Sequence, residues 1–176
     1  MREYFPTSSS TMSSSSPPLP LPIIDIAPWL PKSTSTNAEK QAVADALHAA
    51  CRDFGFFYLN LAGFATEPEM AHLTDLGSKF FHLPQHCKDA IGLAHSDGAR
   101  GYQRLKENVT MGKADNHEGL DFYRPVENPD RRKPVWGENQ WPDESAEEAG
   151  SIQGFREAFG AWVEKMKALG LIVMQA

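Results

Sequence analysis

The feature that most constrains this chain is an abrupt change of hydrophobic period near residue 55. Ala42, Val43, Ala46, Leu47, Ala50, Cys51 and Phe54 recur at the spacing of one face of a helix. Gly55 is the natural stop, because glycine alone enters the left-handed region without strain. Phe56 to Leu61 then run almost continuously apolar and aromatic. That predicts a strand buried on both faces. A helix delivered straight into a strand excludes an all-β hairpin arrangement and a pure helical bundle. It leaves an α/β or α+β fold. Cys51, on the stripe, is expected in the core. Asn37 is the expected N-cap, with Lys40 where a capping box would want an acid.

The flanking segments fit the same class. Pro22 lacks an N–H, so Leu21–Ile26 reads as an edge strand or the first residues of one. Thr66-x-x-Glu69, with Pro68 in the first turn, predicts a capped second helix. It carries Met70, Leu73, Gly77, Phe80 and Phe81 on one face and ends at Leu83–Pro84. Residues 84–98 read as a short helix or turn followed by a loop. Arg100-Gly101-Tyr102 and Leu120–Tyr123 predict two strands with an irregular polar stretch between them. Residues 124–150 read as a long exposed connection, with Arg131–Lys133 and the acids Asp143, Glu144, Glu147 and Glu148 as solvated clusters. Ser151 is the expected cap of a last helix. Its stripe is Ile152, Phe155, Phe159, Trp162, Val163, Met166, Leu169 and Val173. Such a face either packs under other elements or associates.

Composition enters by exclusion. The 176 residues are 41% hydrophobic and 23% charged, with a net charge of −6. A core is affordable, and a basic nucleic-acid face is not expected. No apolar run is long enough to span a bilayer. Two cysteines, Cys51 and Cys87, are too few and too far apart for a zinc finger or disulfide scaffold. A cytoplasmic setting is expected. Residues 1–20, rich in serine and proline, are expected to be disordered and carry no secretory h-region.

No motif announces chemistry. Glycine-rich phosphate loops and a serine nucleophile elbow are absent. Asp25, Asp53, Glu118 and Asp121 stand out only as acids. A reactive Cys87–His86 pair is conceivable from adjacency alone. His82 and His86 have zinc-like spacing, but Pro84 interrupts them. His95-Ser96-Asp97 matches the H-x-D cue of two-histidine, one-carboxylate iron sites, with His117 only 22 residues later. No strand precedes it and Gly98 follows, so it is judged a chance match. The expected metal ligands of this chain are none.

Taken together, several landmarks resemble the 2-oxoglutarate/iron(II)-dependent oxygenases of the isopenicillin N synthase-like branch, in their N-terminal domain. They are Leu21–Ile26, Ala50–Leu59, Phe80–Pro84 followed by Lys88, Arg100–Tyr102, Glu118–Phe122 and Phe155–Arg156, in the family's order. Asn60–Gly63 departs from it, lacking the Asn-His-Gly that usually follows the strand. The resemblance implies an α+β domain over residues 21–150 and the start of a long scaffold helix over 151–176. It implies that most of the double-stranded β-helix (jelly-roll) core lies outside this sequence. With that core go the family's H-x-D…H iron triad and its 2-oxoglutarate-gripping R-x-S pair. Iron(II) and 2-oxoglutarate are therefore implied for the full-length family member, and no cofactor is expected on this chain alone.

By the same analogy Arg100 would pair with a substrate carboxylate and Tyr102 would pack beside it. The alternative reading of those two residues is a surface arginine and a core tyrosine. Three functional readings follow. The first is part of an oxygenase of small organic molecules, inactive by itself. The second is a stand-alone interaction module that self-associates through helix 151–176. The third is a metalloenzyme using His95, Asp97 and His117.

Overall fold

The structure is a computed structural model and describes residues 21–146 and 151–176. The expectations for residues 1–20 and for Glu147 and Glu148 lie outside the described residues. The chain divides into two compact units, one reaching Asn60 and the other running from Leu61 to Gln175.

In the first unit, β1 (Ile23–Asp25) pairs in parallel with β2 (Tyr58–Asn60), placing Ile24 opposite Leu59. Between them runs α1 (Asn37–Asp53), so the unit is one β–α–β step. Its core is Ile24, Ile26, Val43, Leu47 and Ala50. Three expectations need correction. The N-cap of α1 is Thr36, one residue before Asn37, and a complete capping box exists. The Thr36 Oγ1 accepts from the Glu39 N–H at 3.3 Å, and the Glu39 carboxylate accepts from the Thr36 N–H at 2.7 Å. Cys51 is exposed, because the buried stripe is the narrower set Val43, Leu47 and Ala50. The aromatic strand is not buried on both faces: Phe56 is 72% and Tyr58 63% exposed. Among the described residues of this unit, β2 has one strand neighbour, and along it Leu59 is half-buried while Tyr58 and Asn60 are exposed. Gly55 does end α1, at φ +73°.

In the second unit, α2 (Glu67–Phe81) begins at the Thr66/Glu69 capping box, as its sequence predicts. A one-turn helix, α3 (Gln85–Asp89), follows Pro84. β3 (Gly101–Gln103) pairs antiparallel with β6 (Gly119–Asp121), Tyr102 facing Leu120. The stretch between them is not irregular. It holds a two-residue hairpin of β4 (Val109–Thr110) and β5 (Lys113–Ala114), turning through Met111 and Gly112 at positive φ. The last helix, α4 (Phe155–Gln175), lies on α2. Lys165 of α4 binds the Glu69 carboxylate at 2.5 Å and reaches over the Phe64 ring. The core is Leu76, Phe80, Leu83, Ile91, Tyr102, Ile152 and Phe155. Phe80 is fully buried and meets Phe81, Tyr102 and Phe155 at ring distances of 5.1 to 6.1 Å.

The cap of α4 is not Ser151. The Glu144 carboxylate accepts from the N–H of Gly154, just before the helix, and of Arg156 in its first turn, each at 2.8 Å. A carboxylate at a helix N-terminus is favoured by both hydrogen bonding and the helix dipole.

Candidate functional site

Two buried polar clusters flank the β3–β6 pair. The first forms around Tyr102. Its hydroxyl donates a short hydrogen bond to Glu118 Oε2. The Lys88 ammonium donates to the same carboxylate at 2.9 Å and to the Phe81 carbonyl at 3.0 Å, and it also sits over the Tyr102 ring. Burial alone would raise the Glu118 pKa, but the Tyr102 and Lys88 hydrogen bonds outweigh it and hold the carboxylate below its ordinary range. Burial pushes Lys88 down, and Glu118 and Tyr102 more than restore it. The Tyr102 hydroxyl and the Lys88 ammonium therefore converge on the one Glu118 carboxylate.

The second cluster forms around Arg100, which is only 2% exposed. Its guanidinium binds Asp97 Oδ2 at 2.5 Å, donates to the Arg124 carbonyl at 3.3 Å and stacks on the Tyr123 ring at 5.1 Å. Asp97, its side chain fully buried, also accepts from the backbone N–H groups of Ala99 at 3.1 Å, Arg100 at 3.2 Å and Gly137 at 2.7 Å. Burial would raise the Asp97 pKa. The Gly137 and Ala99 hydrogen bonds and the Arg100 charge overcome that and lower it.

Backbone shape enforces this arrangement at two glycines. Gly101 sits at φ +126°, and a side chain there would collide with the Ile91 carbonyl and the Gln140 amide. That amide donates to the carbonyls of both Gly92 and Arg100. A Cβ on Gly137 would lie 2.6 Å from Ser96 Oγ and 3.0 Å from the Asp97 carboxyl carbon.

The sequence-predicted residues therefore divide. Tyr102 is in the core, hydrogen-bonded to Glu118. Arg100 is not a surface residue, and the carboxylate it pairs with is the protein's own Asp97. His95 is exposed on a short 3-10 turn, while Asp97 points into the protein, its oxygens engaged as above. His117 lies 3.3 Å from Asn108 Nδ2. Cys87 Sγ does touch His86 Nε2 at 3.4 Å, and His82 Nδ1 is 2.7 Å from the Ser78 carbonyl. Among the described residues no group of three or more His, Cys, Asp or Glu side chains could hold a metal ion. The donor sets among the described residues do not fit a two-histidine, one-carboxylate iron centre. Sequence reasoning missed Lys88, Glu118, Gln140 and Glu144 as partners, since the Lys88–Glu118, Gln140–Gly92 and Glu144–Gly154 contacts join residues 10 to 48 positions apart.

A cleft of about 530 Å³ opens beside the second cluster, lined by Arg124, Pro125, Val126, Glu127 and Trp136. A second, of about 630 Å³, shares Pro125 and Val126 with it and continues to Asn139, Trp141 and Arg156. No described helix is long and apolar enough to cross a membrane.

Comparison with known proteins agrees with this fold. The chain is 40% identical over 129 residues to homoarginine-6-hydroxylase 2-ODD-233 of Oryza sativa subsp. japonica, covering 69% of this chain and 39% of that protein. It is 28% identical over 161 residues to a 1-aminocyclopropane-1-carboxylate oxidase of Dictyostelium discoideum, covering 89% and 41%. Full-length Neurospora crassa T7H, solved in complex with alpha-KG and thymine, superposes with a TM-score of 0.65 at 25% identity, over 88% of this chain and 46% of that one. The chain thus spans about two fifths of the length of the curated relatives it matches. The family described as non-haem dioxygenase in morphine synthesis, N-terminal, matches residues 21–144. On that match, which takes in β1 through the Arg124–Trp136 cleft, the chain belongs to the non-haem dioxygenase N-terminal family.

Proposed function

We propose that this chain forms the N-terminal part of a 2-oxoglutarate- and iron(II)-dependent dioxygenase that oxidises a small organic molecule. The supporting observation is the family match, with relatives whose names specify small amino acids as substrates. On this reading the chain is inactive alone. Its described residues offer no iron ligand set, and it spans about two fifths of the length of the relatives that would hold iron and 2-oxoglutarate. The chain's own task is to shape one side of the substrate mouth. Arg100 and Tyr102 serve that task from beneath the surface, as positioning residues: Arg100 fixes the backbone at Arg124, and Tyr102 fixes β3 against β6 through Glu118.

The test is a pair of turnover assays. Purified chain with iron(II) and 2-oxoglutarate is expected to form no succinate. A homoarginine-6-hydroxylase carrying residues 21–144 in place of its own equivalent segment is expected to retain activity. Succinate formation by the isolated chain, or a folded but inactive chimera, would overturn the reading. A second reading, an interaction module, draws on the exposed Leu171 and Met174 of α4. It predicts a defined, concentration-dependent oligomer in sedimentation velocity.

A further inference from the structure

The Arg124–Trp136 cleft combines three features. Its walls are pinned, its charged groups are unspent, and its aromatic residue is held outward. The pinning comes from one buried ion pair. Arg100 donates to the Arg124 carbonyl on one wall, while its partner Asp97 accepts from the Gly137 N–H next to Trp136 on the other. A further clamp joins the same two segments: Asn139 accepts from the Tyr123 N–H at 3.0 Å and donates to the Tyr123 carbonyl at 2.7 Å. Trp136 is fixed through both backbone groups, its N–H to the Lys133 carbonyl and its carbonyl to the Asp130 N–H.

The strain lies next door. Val135 occupies φ +57°, a conformation that a β-branched residue adopts only when its surroundings impose it. Beside it, Trp136 is 44% exposed at the cleft. Among the described residues, neither the Arg124 guanidinium nor the Glu127 carboxylate has a hydrogen-bond or ion-pair partner, and the Arg124 contact is made by its carbonyl alone. A volume of about 530 Å³ suits a small molecule.

We propose that this cleft binds a small zwitterion, a molecule bearing a carboxylate and a cationic nitrogen. The carboxylate meets the forked Arg124 guanidinium. The cationic end meets Glu127 and the face of Trp136. Pro125 and Val126 supply the apolar floor for the carbon chain between. If the chain is part of an oxygenase of small organic molecules, this zwitterion is its substrate; the binding itself does not depend on that reading.

The probe is L-arginine, titrated calorimetrically into the purified 176-residue chain. Agmatine, which lacks the carboxylate, and pentanoate, which lacks the cation, serve as comparisons. L-arginine is expected to bind at one site and more tightly than either. Arg124→Gln is expected to weaken L-arginine at least about tenfold and to erase its advantage over agmatine. Glu127→Gln is expected to erase the advantage over pentanoate. Trp136→Ala is expected to weaken all three, and the exposed positions leave the circular dichroism and melting curve unchanged. No binding of L-arginine, equal binding of the three probes, or binding indifferent to the three substitutions would overturn the proposal. Because no iron or turnover is involved, such a failure is distinct from a failure of the succinate assays.

Discussion

At the scale of single residues, Asp97 shows how a short motif misleads and then informs. H-x-D spacing invites a metal, yet this carboxylate is engaged by the Arg100 guanidinium and by the N–H groups of Ala99, Arg100 and Gly137. Removing its charge leaves the buried Arg100 guanidinium without a counter-charge. Asp97→Asn is therefore expected to destabilise the second unit by about 3–5 kcal/mol in urea denaturation. Retention of full stability would show the pair to be dispensable. Gly101→Ala faces both a φ of +126° and a collision with the backbone carbonyl of Ile91, so it is expected to lose soluble folded protein altogether. Glycine's necessity there was invisible in the sequence, where Arg-Gly-Tyr reads as an ordinary strand opening. Tyr102 was legible as a core aromatic. Its dependence on Lys88 and Glu118 was not, because no local period links positions 88, 102 and 118.

At the scale of elements, local signals succeeded where the interaction is local. The Thr66/Glu69 box begins α2 as read, and Gly55 ends α1. The true Thr36/Glu39 box was legible by the same rule one residue earlier. Thr36→Ala is expected to cost about 1 kcal/mol, read from the melting of the first unit's helix by far-UV circular dichroism. The β4–β5 hairpin escaped because its first left-handed position is Met111, in place of the asparagine or glycine that usually marks such a turn. Met111→Asn is expected to leave the fold intact and raise stability slightly, by tenths of a kcal/mol. Glu144, the cap of α4, escaped because it reaches across ten residues to Gly154.

At the scale of the whole molecule, pH response follows from the two buried clusters. Asp97 and Glu118 are both held below their ordinary values of 3.8 and 4.5. A lowered carboxylate contributes stability that is fully present above its ordinary value and is lost as pH falls through the lowered one. The urea midpoint is therefore expected to stay level near neutrality and to fall as pH drops below about 4.5. Asp97→Asn is expected to flatten that fall, and an unchanged slope would show that the pair does not set acid stability.

The sequence by itself determined the alternation of helix and strand about Gly55, the capping box of α2, the helical period of α1 and the family landmarks. These rest on residues within a turn or two of one another, where steric preference and period decide the outcome. Only the tertiary structure decided which of those apolar residues are covered, as the exposed Cys51, Phe56 and Tyr58 show. It alone paired Arg100 with Asp97 and turned both to framing a cleft at Arg124 and Trp136. Burial and charge pairing depend on what arrives from elsewhere in the chain. A carboxylate's partners are chosen by the packed backbone around it, and no spacing rule encodes them.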